Sequence, residues 1–235
     1  MSFFRKLSQI LSKEEYRRNP VPQNLKLQQL TAINIGAINA EQTGYYCDSL
    51  STGGRAAEIK ENLSEYYGIV DRDSAFETLN WLCSEGHRKY FDIIKKTILN
   101  KAESMGIVEA ADIEHVQIYF SNLQEALPEL IQENILCSKA DLSNSSIAAW
   151  DMGRLVLVTR CCFDVGYISE QEAWDYINRA YKVCKENYSS WEQLANGYLI
   201  GRAMWSGSNI ALTCIIAIAK GLLQDEQSPW KECIF

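Results

Sequence analysis

The sequence predicts an all-α fold: a compact multi-helix domain of roughly nine to ten helices, with no significant sheet. Only 4 prolines and 13 glycines interrupt its 235 residues, so breaks between helices are few. Apolar residues recur at helical spacing, and no segment alternates like a strand between hairpin turns. We expect residues 23–235 to form a single α-helical domain, preceded by a basic helical arm and proline linker over 1–22.

Short amphipathic helices separated by turn signals are predicted for the N-terminal half. Pro20 and Pro22 end the first helix, because proline fixes φ and lacks an N–H donor. The Gly- and Ser-rich stretch 43–54 is predicted as a loop. Pro128 is placed at a helix start, where its missing N–H has no intrahelical acceptor. The predicted helices are Phe3–Arg18, Leu25–Glu41, Arg55–Tyr67, Asp73–Cys83 with Asp73 as its cap, His87–Asn100, Glu109–Leu127 and Pro128–Leu136.

Capping signals mark the helices of the C-terminal half. The segments 169–172 (S-E-Q-E) and 189–192 (S-S-W-E) each predict a capping box, in which a serine and an acid bond each other's backbone N–H groups. Ser145 or Ser146 is the expected cap of the helix before them. The predicted helices end near 165, 187, 205 and 223, and an aromatic tail follows at 230–235.

The net charge of the chain indicates which kinds of molecule it is expected to bind. The chain carries 23 basic and 30 acidic residues, a net charge of −7 and a pI near 5.0. Nucleic-acid binding is not expected, because it needs a basic surface that displaces phosphate counterions. Residues 102–235 hold 9 basic and 18 acidic residues, so this half would attract a cationic partner, with an ordinary solvated acidic face as the alternative.

The cysteines and apolar segments bear on location. No C-x-x-C pair occurs, and the cysteines lie in apolar helical stretches, so we expect free, buried thiols and a reducing cytoplasm. The N-terminus lacks a secretory signal pattern. The most apolar run, 210–219, is too short to span a bilayer, so stable membrane insertion is not expected. The cysteines are Cys47, Cys83, Cys137, Cys161, Cys162, Cys184, Cys214 and Cys233.

Motifs of known chemistry are absent from the sequence. It contains neither a G-x-G-x-x-G nor a Walker-type loop, and no G-x-S-x-G nucleophile elbow. The two histidines, His87 and His115, lie outside any metal-binding pattern. We therefore expect no cofactor and no metal, name no catalytic residue, and favour a protein that is not an enzyme.

The unusual segment is 149–205, where three predicted helices bring together arginines, carboxylates and aromatic rings. Tyr198, Arg202 and Trp205 follow one helical stripe, while Gly197 and Gly201 suit close helix approach. One interpretation is a buried ionic network that sets how the helices cross. The others are an anion-binding or catalytic cleft built on Arg154 and Arg202, or a partner-binding surface. The candidate residues are Trp150, Asp151, Arg154, Arg160, Glu172, Trp174, Trp191, Tyr198, Arg202 and Trp205.

The same segment resembles a known family. It carries, in order, A-W-D-M-G-R-L-V-L-V-T-R (149–160), G-Y-I-S-E-Q-E-A-W (166–174), Y-S-S-W-E (188–192) and G-Y-L-I-G-R-A-M-W (197–205). These runs resemble the bacterial domain-of-unknown-function family 1266 (YbeR/YbeU-like). The resemblance covers about 30–207 and is clearest after Ser145. It implies a cytoplasmic bacterial protein and a shared structure around these motifs, with no established activity to carry over.

We expect a non-catalytic protein-binding protein, most concretely an immunity protein that neutralises a cognate bacterial secretion-system toxin by direct binding. Acidic charge, the lack of catalytic motifs and a family without an activity favour this function, because acidic inhibitors capture basic toxins rapidly. One alternative is an enzyme or small-anion-binding protein that uses the cleft formed by the helices at 149–205. A scaffold or accessory protein is the other.

Overall fold

The computed structural model describes residues 16–99 and 112–235, and within these ranges it holds helices and no strand. The predicted all-α fold is confirmed. A 3₁₀ helix, Lys139–Asn144, precedes the seventh α-helix. The α-helices are α1 (Leu27–Asn34), α2 (Ala37–Thr43), α3 (Ala56–Tyr67), α4 (Arg72–Ser84), α5 (Arg88–Ile98), α6 (Ile113–Gln132), α7 (Ala148–Asp164), α8 (Glu170–Asn187), α9 (Trp191–Ser206), α10 (Ile210–Gln224) and α11 (Pro229–Glu232).

Helix α7 lies at the centre and packs against α2, α3, α4, α8 and α9. Apart from Leu157, Phe163 and Asp164, which are partly exposed, every residue of α7 is buried. A helix buried on all sides has to satisfy its polar side chains inside the protein. The burial of α7 therefore brings its charged side chains into the core.

The predicted close approach of α9 to its neighbours is confirmed. A Cβ atom at Gly201 would lie 2.4 Å from Cβ of Trp150 on α7. A Cβ atom at Gly197 would lie 2.7 Å from the carbonyl oxygen of Ser146 and 2.5 Å from the Tyr188 hydroxyl. Real Cβ contacts are not this short, so only glycine permits this crossing.

The single helix predicted over 25–41 is wrong, because the chain breaks at Ile35 and Gly36 between α1 and α2. A Cβ atom at Gly36 would lie 2.9 Å from Cγ1 of Val156. The break lets the backbone approach α7, and Ile35 and Ile38 are then fully buried. Tertiary packing thus outweighs the helical periodicity of this segment.

The helix boundary predicted at Pro128 is also wrong, because α6 continues through Pro128 to Gln132. Proline lacks the N–H that would bond a carbonyl one turn earlier and ordinarily interrupts a helix. Here Leu123, Leu127 and Leu130 are buried on one face of α6, on both sides of the proline. A continuous helix keeps this apolar face against the core. The helix ends instead before Asn134, whose φ is 60°.

The capping box predicted at Ser169 is confirmed. The Ser169 hydroxyl accepts from the Glu172 N–H, and the Glu172 carboxylate accepts from the Ser169 N–H at 2.8 Å. The cap of α9 is Ser190, one residue after the predicted Ser189, and its hydroxyl accepts from the Gln193 N–H at 3.2 Å. Ser190 has the extended backbone that a cap requires.

Two further helix starts differ from the prediction. The cap of α4 is Asp71, which accepts from the Ser74 N–H at 2.9 Å, whereas Asp73 lies in the first turn. Only Asp71 has extended backbone angles, so it and not Asp73 can reach the free N–H groups. Helix α7 begins after Ile147, and the Ser146 hydroxyl accepts from the Ala148 N–H at 3.2 Å.

The predicted N-terminal arm lies mostly outside the described residues. Its last part, 16–18, is described and is not helical, so the predicted helix end at Arg18 is wrong. Arg17 donates to the carbonyl oxygens of Gly44 and Gly53, and Arg18 pairs with Glu232 near the C-terminus. These contacts hold this segment against the body in a non-helical path.

The eight cysteines are free, as predicted, but only five of them are buried: Cys83 and Cys214 are partly exposed, and Cys137 is exposed. No helix in 16–99 or 112–235 combines the length and apolar character that crossing a bilayer requires. Within the same ranges, no three His, Cys, Asp or Glu side chains lie together as ligands of one metal ion would.

Candidate functional site

A cavity of about 730 Å³ opens between α2, α3, α4, α7 and α9, and we call it the Arg202 cavity. Aromatic rings, aliphatic side chains and neutral amides and hydroxyls make up most of its wall. The charged side chains of the described wall are Arg154 and Arg202, and no carboxylate from the described residues lines it. Its size falls in the range of small-molecule binding sites.

Two helical stripes form one side of the cavity. Trp150, Arg154 and Cys161 face it from α7 at helical spacing. From α9, Tyr198, Arg202 and Trp205 face it together. The stripe predicted on α9 is therefore a single lining surface, and the close crossing of the two helices at Gly201 places the stripes side by side.

Arg202 is the distinctive residue of this cavity. The residue is 93% buried, since its relative exposure is 7%, and its Nη1 atom has no hydrogen-bond partner among the described residues. Its guanidinium lies against the ring of Trp205, whose centroid is 4.9 Å from Cζ. Burial lowers the pKa of Arg202 from its usual value, but a guanidinium stays charged in proteins. Within 16–99 and 112–235, Arg202 is thus a buried cation without an anion.

Arg154 differs from Arg202 because its guanidinium is already paired. Its Nη2 atom lies 2.5 Å from Oδ1 of Asp151 and 2.8 Å from Nδ1 of His87, and its Nε atom donates to the Trp150 carbonyl oxygen at 3.3 Å. The Trp150 ring lies beneath it, with its centroid 4.5 Å from Cζ. Arg154 therefore contributes a compensated charge to the cavity wall.

His87 lines the cavity in a neutral form. Both groups that approach its Nδ1 atom, the Trp150 indole N–H at 3.2 Å and the Arg154 guanidinium, are donors only. Nδ1 must therefore accept, and the proton lies on Nε2. Burial, followed by the charge of Arg154, lowers the His87 pKa to about 4.

Asp151 is completely buried and does not line the cavity, but it bonds to residues that do. Its carboxylate accepts from the backbone N–H groups of His87 and Arg88 at the start of α5, both at 3.0 Å. It also accepts from the guanidinium groups of Arg88 and Arg154. Asp151 thus joins α7 to the N-terminus of α5, which fits the interpretation of a buried network that sets the helix packing.

Arg160 is a second structural residue and lies away from the cavity. It is 1% exposed and donates to the carbonyl oxygens of Tyr46, Leu50 and Ser51. Burial lowers its pKa from the usual value. Its role is to fix the loop before α3 against α7.

The remaining candidates lie on other faces of the molecule. Glu172 pairs with Arg72 at 2.6 Å, and bonding to this guanidinium lowers the Glu172 pKa to about 2. The Trp174 indole N–H reaches Glu170 one turn earlier at 3.4 Å. Trp191 stacks on Trp230 with centroids 5.0 Å apart. The structure therefore does not bring Glu172 together with Arg154 and Arg202.

Several cavity residues were not among the sequence candidates. Tyr66 and Tyr67 come from α3, Trp81 from α4, and His87 from the turn before α5. The exposed rings of Tyr66, Trp81 and Trp205 are 69%, 36% and 44% accessible. The signal available in the sequence was the number of aromatic residues within 66–81, which is equally typical of a core.

A family model described as "Protein of unknown function (DUF1266)" matches residues 62–235. The motif resemblance covers about 30–207, so the family model begins later in the chain and extends further, to residue 235. The matched segment includes most of the cavity wall but not α2. Comparison with curated proteins and with solved structures finds no match.

Proposed function

Because the chain belongs to the DUF1266 family, which has no known function, we propose from the geometry of the site that it binds a small organic anion in the Arg202 cavity. The observation that carries this proposal is the buried Arg202 guanidinium with an unbonded Nη1 atom. A buried charge without a partner costs several kcal/mol, and a ligand that supplies the missing anion removes that cost.

The surroundings support a ligand rather than a protein group as the partner of Arg202. No described carboxylate lines the cavity, and Asp151 is saturated by its bonds to α5, Arg88 and Arg154. Aromatic and aliphatic side chains outnumber the polar ones in this wall, as is typical of small-molecule sites.

The experiment compares thermal unfolding with and without organic anions at low ionic strength, for the wild type and Arg202→Met. Binding to the native state raises the unfolding temperature, and the rise grows with the logarithm of ligand concentration once this exceeds Kd. We expect a carboxylate or phosphate ester to stabilise the wild type and not the variant. Arg72→Met is the matched control, because it removes one positive charge at the exposed Glu172 pair and should keep the response.

The absence of any anion-dependent shift in the wild type would contradict the proposal. An equal shift in Arg202→Met would also contradict it, because the ligand would then bind elsewhere. Unliganded Arg202→Met should be at least as stable as the wild type, since the variant removes an uncompensated buried charge.

A protein-binding function remains the second proposal, most concretely neutralisation of a basic toxin in a bacterial cytoplasm. The observation that favours it is the exposed rim of Tyr66, Trp81 and Trp205, since aromatic residues dominate protein-binding hot spots. Affinity purification of the tagged protein, followed by mass spectrometry, tests this function. One stoichiometric basic partner, lost on Trp205→Ala, would support it, and a clean monomer would contradict it.

A further inference from the structure

We propose that the ligand of the Arg202 cavity is a monocarboxylate joined to a flat aromatic group, and not a phosphate ester. This inference rests on the anion-binding function proposed above and adds the chemical class of the ligand. Three features of the cavity lead to it: the supply of free donors, the state of the nearby helix N-terminus, and the aromatic wall.

The first feature is the number of cationic donors that remain free. Arg202 has an unbonded Nη1 atom, whereas Arg154 is committed to Asp151, His87 and the Trp150 carbonyl oxygen. No lysine lines the described wall. A single free guanidinium matches a planar carboxylate, which takes two parallel N–H···O bonds. A phosphate dianion has more charge and more acceptor oxygens than this donor set satisfies.

The second feature is the helix N-terminus beside the cavity. Phosphate groups are commonly held by free backbone N–H groups at the start of a helix. Here the N–H groups of His87 and Arg88, at the start of α5, both donate to Asp151. The Asp151 carboxylate already fills the place where a phosphate would be bound. The cavity therefore lacks the backbone cradle that phosphate recognition ordinarily uses.

The third feature is the arrangement of rings around Arg202. Trp205 lies against the guanidinium, and its ring centroid is 5.8 Å from that of Trp150. Trp150 meets the ring of Tyr198 edge to face, with centroids 5.2 Å apart. Offset and edge-to-face contacts with these rings favour a flat aromatic group. Neutral polar side chains, including Gln42 and Asn62, occupy the exposed part of the wall and add no charge.

The experiment measures the affinity of four probes by calorimetry at pH 8: benzoate, indoleacetate, acetate and phenyl phosphate. Benzoate and phenyl phosphate present the same ring with different anions, while acetate has the carboxylate without a ring. We expect the aromatic carboxylates to bind roughly 10- to 100-fold more tightly than phenyl phosphate and acetate. Quenching of tryptophan fluorescence provides a second readout for rings near Trp150 and Trp205.

Measurements on variants test whether the probes bind in the Arg202 cavity. Arg202→Met should lose the same roughly 10- to 100-fold for benzoate, and Arg202→Lys should recover only part of it, because lysine lacks the planar fork. Trp205→Ala should weaken the aromatic carboxylates and leave acetate unchanged. Arg72→Met is the surface control and should bind all probes like the wild type.

The outcomes separate this inference from the anion-binding function itself. Arg202-dependent binding of phenyl phosphate that equals or exceeds that of benzoate would overturn the carboxylate class and keep anion binding. Equal affinity for acetate and benzoate would overturn the aromatic part. If no probe binds in an Arg202-dependent manner, both the anion-binding function and its ligand class are wrong.

Discussion

Arg160 and Arg202 are both buried arginines, and at the scale of single residues their partners decide their roles. Arg160 donates to the carbonyl oxygens of Tyr46, Leu50 and Ser51, whereas the Nη1 atom of Arg202 donates to none. The sequence placed both among the candidates, because a helical stripe shows which residues share a face and not which bonds they complete. Only the folded partners separate a structural arginine from a binding one.

These two arginines give opposite expectations for the same substitution. Arg160→Met should lower the free energy of unfolding by about 3–5 kcal/mol, because three carbonyl oxygens, one buried and two partly buried, lose their donor. Unliganded Arg202→Met should show no loss. Denaturant unfolding of both variants measures the difference. A large loss for Arg202→Met would mean that Arg202 is structural, which would contradict the proposed ligand site.

The buried, neutral His87 should make the free energy of unfolding depend on pH. Its pKa is about 4 in the folded protein, because burial and Arg154 disfavour the charged ring, and 6.5 in a free histidine. Between these values the unfolded chain binds a proton that the folded one does not. The contribution of His87 therefore increases as pH rises from about 4 to 6.5, by about 3 kcal/mol. Stability curves of the wild type and His87→Asn, subtracted at each pH, measure this contribution.

The subtraction is needed because Glu41 acts in the opposite direction. Burial raises the Glu41 pKa to about 7 from 4.5, so its contribution decreases as pH rises through this range. The two effects partly cancel in the wild type. His115→Asn is the matched control, since it also removes an imidazole, from an exposed position on α6. A difference between wild type and His87→Asn that does not change with pH would show that His87 titrates normally.

At the scale of elements, the crossing of α7 and α9 depends on glycine. Gly201→Ala would place a Cβ atom 2.4 Å from Cβ of Trp150, so the helices must separate or Trp150 must move. We expect a loss of about 1–3 kcal/mol in the free energy of unfolding, as for an overpacked core. Because Trp150 also lines the Arg202 cavity, benzoate affinity should fall in the same variant.

Gly221→Ala is the control for this substitution. Gly221 lies inside α10, and a Cβ atom there meets nothing within 4 Å. Alanine should therefore stabilise the helix by roughly 0.5–1 kcal/mol, because it loses less conformational freedom on folding. Thermal or urea unfolding of both variants gives the comparison. If both alanines stabilise, α9 does not need its glycine for packing.

Local signals predicted the helices where local interactions determine them. The Ser169 box and the apolar periodicity of α8 to α10 agree with the structure to within a few residues. The break at Gly36 and the continuous α6 through Pro128 were missed, because each depends on packing against a distant segment. Sequence periodicity within a window contains no information about such contacts.

At the scale of the whole molecule, the cavity was predictable only on one side. Arg154, Tyr198, Arg202 and Trp205 lie in the motif-rich segment, and the structure brings them together. The opposite wall comes from α2 to α4, which are far away in the chain and reach the site through packing on α7 and its neighbours. The bonds that saturate Asp151, and that leave Arg202 unpaired in the described part of the chain, likewise arise only in the folded protein.

The folding unit should be larger than the segment that the family model matches. Residues 62–235 lack α2, which packs on α7 and α10, and they lack the fully buried Ile35 and Ile38. Asn39 of α2 also donates to the Tyr198 hydroxyl inside the cavity, at 2.8 Å. A chain without α1 and α2 would expose this apolar surface and one wall of the site. The single domain predicted over 23–235 includes both.

This argument predicts different behaviour for two fragments. Residues 23–235 should unfold in one cooperative calorimetric transition, because α2 and α7 share one core. Residues 62–235 should keep helical far-ultraviolet dichroism but lose near-ultraviolet signal and bind a hydrophobic dye, as expected when packing is lost and helices persist. The measurement is calorimetry of both fragments beside their dichroism spectra. A sharp transition for 62–235 would show that the family segment folds alone, and that α2 is an addition to an already complete core.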